Sequence, residues 1–303
     1  MHKIYALSPL AFAFALTACG SDDNNSTTTN LTIPFQAKAG ATEIVCGAQL
    51  SGLGATADKG TVADFAFYIH DIKLKTKSGQ TVNATLEKNE FQDPQYGVAL
   101  LDFQDKTDAC NGSAKPTNKA VYVKVENVDP AEINGIEFKV GVPSAANHHN
   151  ASTSIAPYNR ADLFWKWQTG HKFMRLDVNP ASKVKLAYDM NGSSLANTYF
   201  FHLGSTGCEG DPTTGTVVSC SAPNLPKVSL TESFKVSNLS TSKVVFDYAK
   251  LMAGINLNAD AVAPSGCMSG VEDLECMNIF NNLGLSHGAH TATGLQQVFS
   301  AAN

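Results

Sequence analysis

From Leu31 onward, apolar and polar positions fall into short runs of strand length, punctuated by Gly, Pro, Asn and Ser. Leu31–Lys38 alternates, as expected of a half-buried strand. Ala63–Lys75 puts Phe65, Phe67 and Ile69 on one parity and then Ile72 and Leu74 on the other. A change of parity within one run predicts a bulge or bend, here around His70. Gly97–Phe103, Ala120–Val125, Gly135–Val142, His171–Val178, Val184–Met190, Asn197–Leu203, Val228–Val236 and Lys243–Tyr248 have strand length and composition as well. Only Val262–Leu283 hints at helix, over Glu272–Phe280. Many short strands without intervening helices predict an all-β fold, a β-sandwich or jelly-roll-like arrangement with a short C-terminal helix. Long loops are expected at 77–96, 143–162 and 204–226, where function tends to sit.

The first thirty residues belong to a different organisation. Lys3 precedes the apolar run Ile4–Leu16, which is shorter than the ~20 residues that span a bilayer and reads as a signal peptide. Leu16-Thr17-Ala18-Cys19 resembles a bacterial lipobox, which implies cleavage after residue 18 and a lipid on Cys19. Residues 19–30 then form a polar tether, and 31–303 one β domain. The expected place is the periplasmic face of the envelope or the cell surface, with Asp absent after Cys19 favouring the outer membrane.

Charged residues make up only 16% of the chain, and loss of Lys3 with residues 1–18 takes the formal charge from −5 to −6. A mildly acidic chain without a basic tract gives no reason to expect nucleic acid as a partner. With Cys19 set aside, six cysteines remain, an even number that reads as disulfides in an oxidising compartment. Proximity in sequence suggests Cys208–Cys220 and Cys267–Cys276, which leaves Cys46 with Cys110. The competing reading is thiolate ligation of a metal, against which stands the absence of any C-x-x-C knuckle.

The candidate chemistry lies in Phe164-Trp165-Lys166-Trp167-Gln168-Thr169-Gly170-His171-Lys172-Phe173, which holds both tryptophans of the chain. His148 and His149 lie just upstream, in the long loop before it, and His202 closes the strand Asn197–Leu203 on the parity of Phe200. Imidazole nitrogen suits copper, zinc and nickel. A loop histidine and a strand-end histidine, His148 and His202, are therefore the foremost ligand candidates, with His70 at the bulge a further one. Each alone reads more readily as a hydrogen-bonded structural residue, and it is together that they gain weight as ligands. His171 is expected to face either the Phe173 side or solvent, and His287 and His290 to lie exposed in the tail. If the tryptophan segment is extended, Trp165 and Trp167 share a face.

These segments together resemble the MbnP-like family, the four-Cys member of the "metallo-mystery pair". The resemblance rests on Phe67-Tyr68-Ile69-His70-Asp71-Ile72-Lys73-Leu74, Val140-Gly141-Val142-Pro143 with Asn147-His148, and the tryptophan segment. It continues through Phe201-His202-Leu203-Gly204-Ser205 into Cys208 and Cys220, then Cys267-Met268-Ser269-Gly270 to Cys276, with Phe280 and Leu283-Gly284-Leu285 beyond. It departs at position 171, where the family leads one to expect an aromatic such as Tyr, and at Cys46 and Cys110, which lie outside the four-Cys core. The resemblance implies a copper-binding protein served by a di-haem cytochrome c peroxidase of the MauG type. That partner oxidises a tryptophan to kynurenine, whose aryl amine adds a metal ligand that indole, a donor only, lacks. Trp165 is favoured over Trp167 as the converted residue.

Neither a G-x-S-x-G elbow nor an H-E-x-x-H helix is present, so the expectation is a binding protein and not an enzyme. The alternative is a surface lipoprotein of β-sandwich type that uses its exposed tryptophans to bind glycan or protein without metal. Copper binding differs from it in depending on His148 and His202 and in failing as pH falls through imidazole protonation near ~6.5.

Overall fold

The computed structural model describes residues 27–187, 194–211, 214, 216–231, 234, 242–260 and 264–302. The expected signal peptide, Cys19 and the tether as far as residue 26 lie outside them, as do the later parts of the strands expected at 184–190 and 228–236. The strands that shape the site are β1 (Thr28–Ala39), β2 (Asp58–Thr76), β3 (Val98–Asp102), β4 (Ala120–Glu126) and β5 (Ile133–Val140). After the one-turn helix α1 (Ser144–Asn147) come β6 (Phe164–Lys166), β7 (Gly170–Pro180), β8 (Tyr199–Gly204), β9 (Thr206–Asp211), β10 (Thr216–Ala222) and β11 (Lys227–Leu230). The chain closes with β12 (Lys243–Asp247), β13 (Gly266–Cys267), helix α2 (Cys276–Asn282) and β14 (Phe299–Ala302).

Two sheets build an all-β sandwich. The smaller runs β14-β12-β1-β4, with β1 parallel to β12 and antiparallel to β4. The larger runs β11-β5-β2-β7-β8-β13, and β3 pairs with β2 as well. Alternation decides which side chains meet between them. Phe35, Phe246 and Phe299 from the smaller sheet interlock with Phe65, Phe67 and Phe138 from the larger, with ring centroids 4.7 Å apart at Phe65–Phe246 and 5.8 Å at Phe35–Phe138. These rings are buried, so the apolar parity of β1 and β2 read in the sequence is the core parity.

The bulge expected near His70 is present. The ladder between β2 and β5 slips between Glu137 and Lys139, where Lys139 meets His70, and Asp71 takes a φ of 55°. Two expectations need correction. The long loop at 204–226 contains the hairpin β9–β10, whose polar sequence hid its pairing, because neither face of it is buried in the core. The helix begins at Cys276 instead of Glu272 and ends at Asn282. Its entry is set by the disulfide Cys267–Cys276, one of three, the others being Cys208–Cys220 and Cys46–Cys110.

The outer face of the larger sheet positions the site. Asp64, Tyr68 and His70 on β2, Arg175 and Asp177 on β7 and His202 on β8 occupy the parity opposite the core. Segment 143–169 folds over this face, and Tyr68 donates its hydroxyl to Pro157 O at 2.8 Å.

Candidate metal centre

His202 stands opposite Arg175 across the β7–β8 ladder, with Asp177 one diagonal step away on the same face. Its Nε2–H donates to Asp177 Oδ1 at 2.9 Å, because a carboxylate only accepts. Nδ1 therefore keeps the lone pair. Burial holds this imidazole below its ordinary pKa, with the Asp177 carboxylate opposing, so it is neutral at pH 7. Asp177 is held in turn by Arg175, whose Nη2 lies 2.7 Å from Oδ2, while Nη1 of the same guanidinium reaches Asp64 at 2.9 Å. A ligating histidine commonly hands its second N–H to a carboxylate in this way.

Trp165 packs over His202, ring centroids 6.3 Å apart. The indole packs closely against the backbone at Gly204, where a Cβ would stand 2.5 Å from Trp165 Cζ3. Glycine at 204 is thus what lets the ring settle beside the imidazole. Trp167 is placed differently. The strand ends at Lys166 and residues 167–169 form a turn, so the two tryptophans do not share a strand face as an extended segment would have it. What Trp167 contributes is its carbonyl, which accepts the Nδ1–H of His148 at 3.0 Å.

His148 caps the C-terminus of α1. With Nδ1 donating to Trp167, its basic nitrogen is Nε2, which lies 3.4 Å from Asn147 Nδ2 and 3.8 Å from Cys220 Sγ. Burial lowers its pKa too, so it is an uncharged donor. Residues 165–167 thereby link two imidazoles from distant parts of the chain, His202 through the Trp165 ring and His148 through the Trp167 carbonyl. His70 stands apart. Its Nδ1–H donates to Gly141 O at 2.8 Å, and the cavity it lines contains Asp71, Tyr96 and Gly97 but nothing of the tryptophan segment. Its position follows from the bulge, which seats it across from Lys139.

The sequence of the chain matches the MbnP family model over residues 28–269. The chain belongs to the MbnP family. Among solved structures it is similar to MbnP from Methylosinus trichosporium, with 26% identity and a TM-score of 0.76, covering 91% of this chain and 99% of that one. No curated protein sequence matches it significantly.

Within this MbnP-family chain, His171 is a structural residue, fully buried and not facing solvent. Nδ1 lies 2.7 Å from Asn147 O and Nε2 3.1 Å from Tyr158 O, and the rings of Tyr68, Tyr158 and Phe164 enclose it. A neutral ring has one N–H, so one contact is a hydrogen bond and the other nitrogen is shut in against a carbonyl, fully buried where a metal has no approach. Gly170 before it, at φ 77°, allows Asn147 to approach, since a Cβ there would meet Asn147 O at 2.5 Å. His287, expected to be exposed, is buried against Phe280 and lies 2.8 Å from Gly270 O.

The sequence reading missed Asp177 and Arg175. An Arg-x-Asp pair in a strand shares one face, which was the available signal. It also missed the neighbourhood of His148. Among the described residues, the clusters of three or more His, Cys, Asp or Glu donors within 4.8 Å of one another are His148-Cys208-Cys220 and Cys267-Asp273-Cys276. In both, the cysteines are disulfide-bonded, and a disulfide lacks the thiolate that binds metal.

Proposed function

We propose that this MbnP-family protein is a copper-binding protein of the bacterial envelope, lipid-anchored through Cys19 and held on the outer membrane. In this reading Trp165 is oxidised to kynurenine by a di-haem peroxidase of the MauG type, and its new amine joins His202 and His148 around the metal. The observation that carries the reading is the placement of the Trp165 ring against His202, an imidazole whose Nε2 is tied to Asp177 and whose Nδ1 is free to ligate.

The donor set suits the cargo. Two neutral imidazoles and an aryl amine make a low-coordinate nitrogen site of the kind copper accepts. The conversion cleaves the indole C2–C3 bond, inserts two oxygen atoms and, after hydrolysis, releases C2 as formate. Two molecules of peroxide, reduced to water at the haem of the partner, take up the four electrons. Reaction at a haem that stays in its own protein requires only that the indole lie near the docking surface, and both tryptophans are half-buried.

Peptide mass spectrometry of the chain produced with and without the haem partner tests the modification. The expected result is a net exchange of one carbon for one oxygen at Trp165, only when the partner is present, with Trp167 unchanged. Unaltered Trp165 with an active partner defeats the reading. Copper titration of His148→Ala and His202→Ala tests the ligands, and binding like that of the wild type in both removes them. The same variants separate this reading from glycan or protein binding, which is indifferent to chelators.

A further inference from the structure

The hairpin β9–β10 places a second set of candidate donors beside the tryptophan segment. Cys208 and Cys220 face each other directly across its ladder and are joined as a disulfide. Gln168 Nε2 donates to Cys208 O at 3.1 Å, which fastens the hairpin to the tryptophan segment. His148 Nε2, the nitrogen with the lone pair, points at Cys220 Sγ from 3.8 Å, and the nitrogen and both sulfurs lie within 4.8 Å of one another. Sulfur and nitrogen bound to one d10 cation at about 2.3 and about 2.0 Å stand about 3.7 Å apart at a trigonal angle. The imidazole and Cys220 are already at that separation.

We propose that reduction of Cys208–Cys220 turns this corner into a Cys2His site for Cu(I), with Cys208 Sγ, Cys220 Sγ and His148 Nε2 as its three ligands. A dithiol reductant supplies two electrons and two protons, the S–S bond breaks to two thiols, and the reductant leaves as its own disulfide. Binding of Cu(I) then displaces the two thiol protons to solvent. Soft thiolates select Cu(I) over the hard cations of the envelope. Access favours this disulfide over Cys267–Cys276, both of whose cysteines are fully buried, since Cys208 is buried but Cys220 is half-buried on a largely exposed strand. Cys46 and Cys110 are also half-buried but belong to no such donor cluster among the described residues. The Trp167 carbonyl fixes which imidazole nitrogen faces the sulfurs, so the site needs no modified tryptophan. It is independent of the conversion of Trp165 and shares only His148 with the copper site proposed above.

The test uses the full chain made without a haem partner, so that both indoles are intact. Cu(I) uptake is measured against bicinchoninate before and after mild phosphine reduction, with thiols counted. Reduction is expected to add one tightly bound Cu(I) per chain, with thiolate-to-copper absorption in the near ultraviolet. The added uptake disappears in Cys208→Ser/Cys220→Ser and weakens by about 10-fold or more in His148→Ala. Equal uptake before and after reduction overturns the proposal, as does the same added uptake in the double serine variant. Should that variant fail to fold, Cys46→Ser/Cys110→Ser decides instead: added uptake kept there supports the site, and added uptake lost there assigns the copper to the other cysteines. Failure of the kynurenine reading would show separately, in unreduced protein made with the haem partner.

Discussion

Asp177 determines what His202 is able to do, for it fixes the tautomer that leaves Nδ1 unprotonated. Asp177→Asn keeps the volume and removes the charge, which lowers the basicity of the ring and leaves Arg175 with Asp64 as its remaining carboxylate partner. Copper affinity is expected to drop by about 10–100-fold, read by competition titration with the fold checked by circular dichroism. An unchanged affinity would remove Asp177 from the site. Gly204→Ala tests the indole. Its new methyl must lie 2.5 Å from Trp165 Cζ3 and 3.1 Å from His171 O, so the ring is displaced, at a cost of about 1–3 kcal/mol. A shifted tryptophan emission together with lost conversion of Trp165 is the expected pair of results. Trp165, His148 and His202 could be singled out in the sequence as candidates because the chain's two tryptophans share one short segment and histidines stand at the ends of the neighbouring elements. Asp177 was not, because a carboxylate in the middle of a strand reads as a solvated face until the covering segment 143–169 is in place.

At the level of elements, strands whose alternation separates core from outer face were legible: β1, β2, β7 and β8 lie within a few residues of expectation. The hairpin β9–β10 was not, since its residues are mostly exposed and carry no periodic signal. Nor was the turn at 167–169, where Gly170 allows the chain to double back towards Asn147. The disulfides show which of these elements depend on a clip. Cys46–Cys110 closes 64 residues and Cys208–Cys220 closes 12. In the chain-entropy account, removing the first is expected to cost about 4 kcal/mol and the second about 3 kcal/mol. Urea unfolding of Cys46→Ser/Cys110→Ser and Cys208→Ser/Cys220→Ser measures both, and a reversed order would mean that native strain outweighs loop closure.

For the molecule as a whole, two sets of buried groups pull its stability in opposite directions with pH. His70, His148, His171 and His202 all titrate below the ordinary 6.5, burial being the first cause in each. Between their folded values and 6.5 the unfolded chain binds more protons, so their contribution is complete above 6.5 and is lost as the medium becomes more acidic. Asp64 runs the other way. Burial pushes its carboxyl up to about 7 against the pull of Arg175, and its Oδ1 has no hydrogen-bond partner. Between the unfolded value of 3.8 and about 7 the folded chain holds the extra proton, so stability falls as pH rises through that window. Burial raises Asp273 to about 7 as well, with the same sign. The two sets oppose each other below 6.5, while above it the histidine contribution to this pH dependence tapers off and the carboxyls come to dominate. Asp64→Asn removes one of them without touching the histidines. The stability of the variant relative to wild type, from urea midpoints, should therefore climb between pH 5 and pH 7.5, at a slope of at most about 1.4 kcal/mol per unit. Parallel pH profiles for the two proteins would show that Asp64 is ionised throughout, its burial fully offset by Arg175.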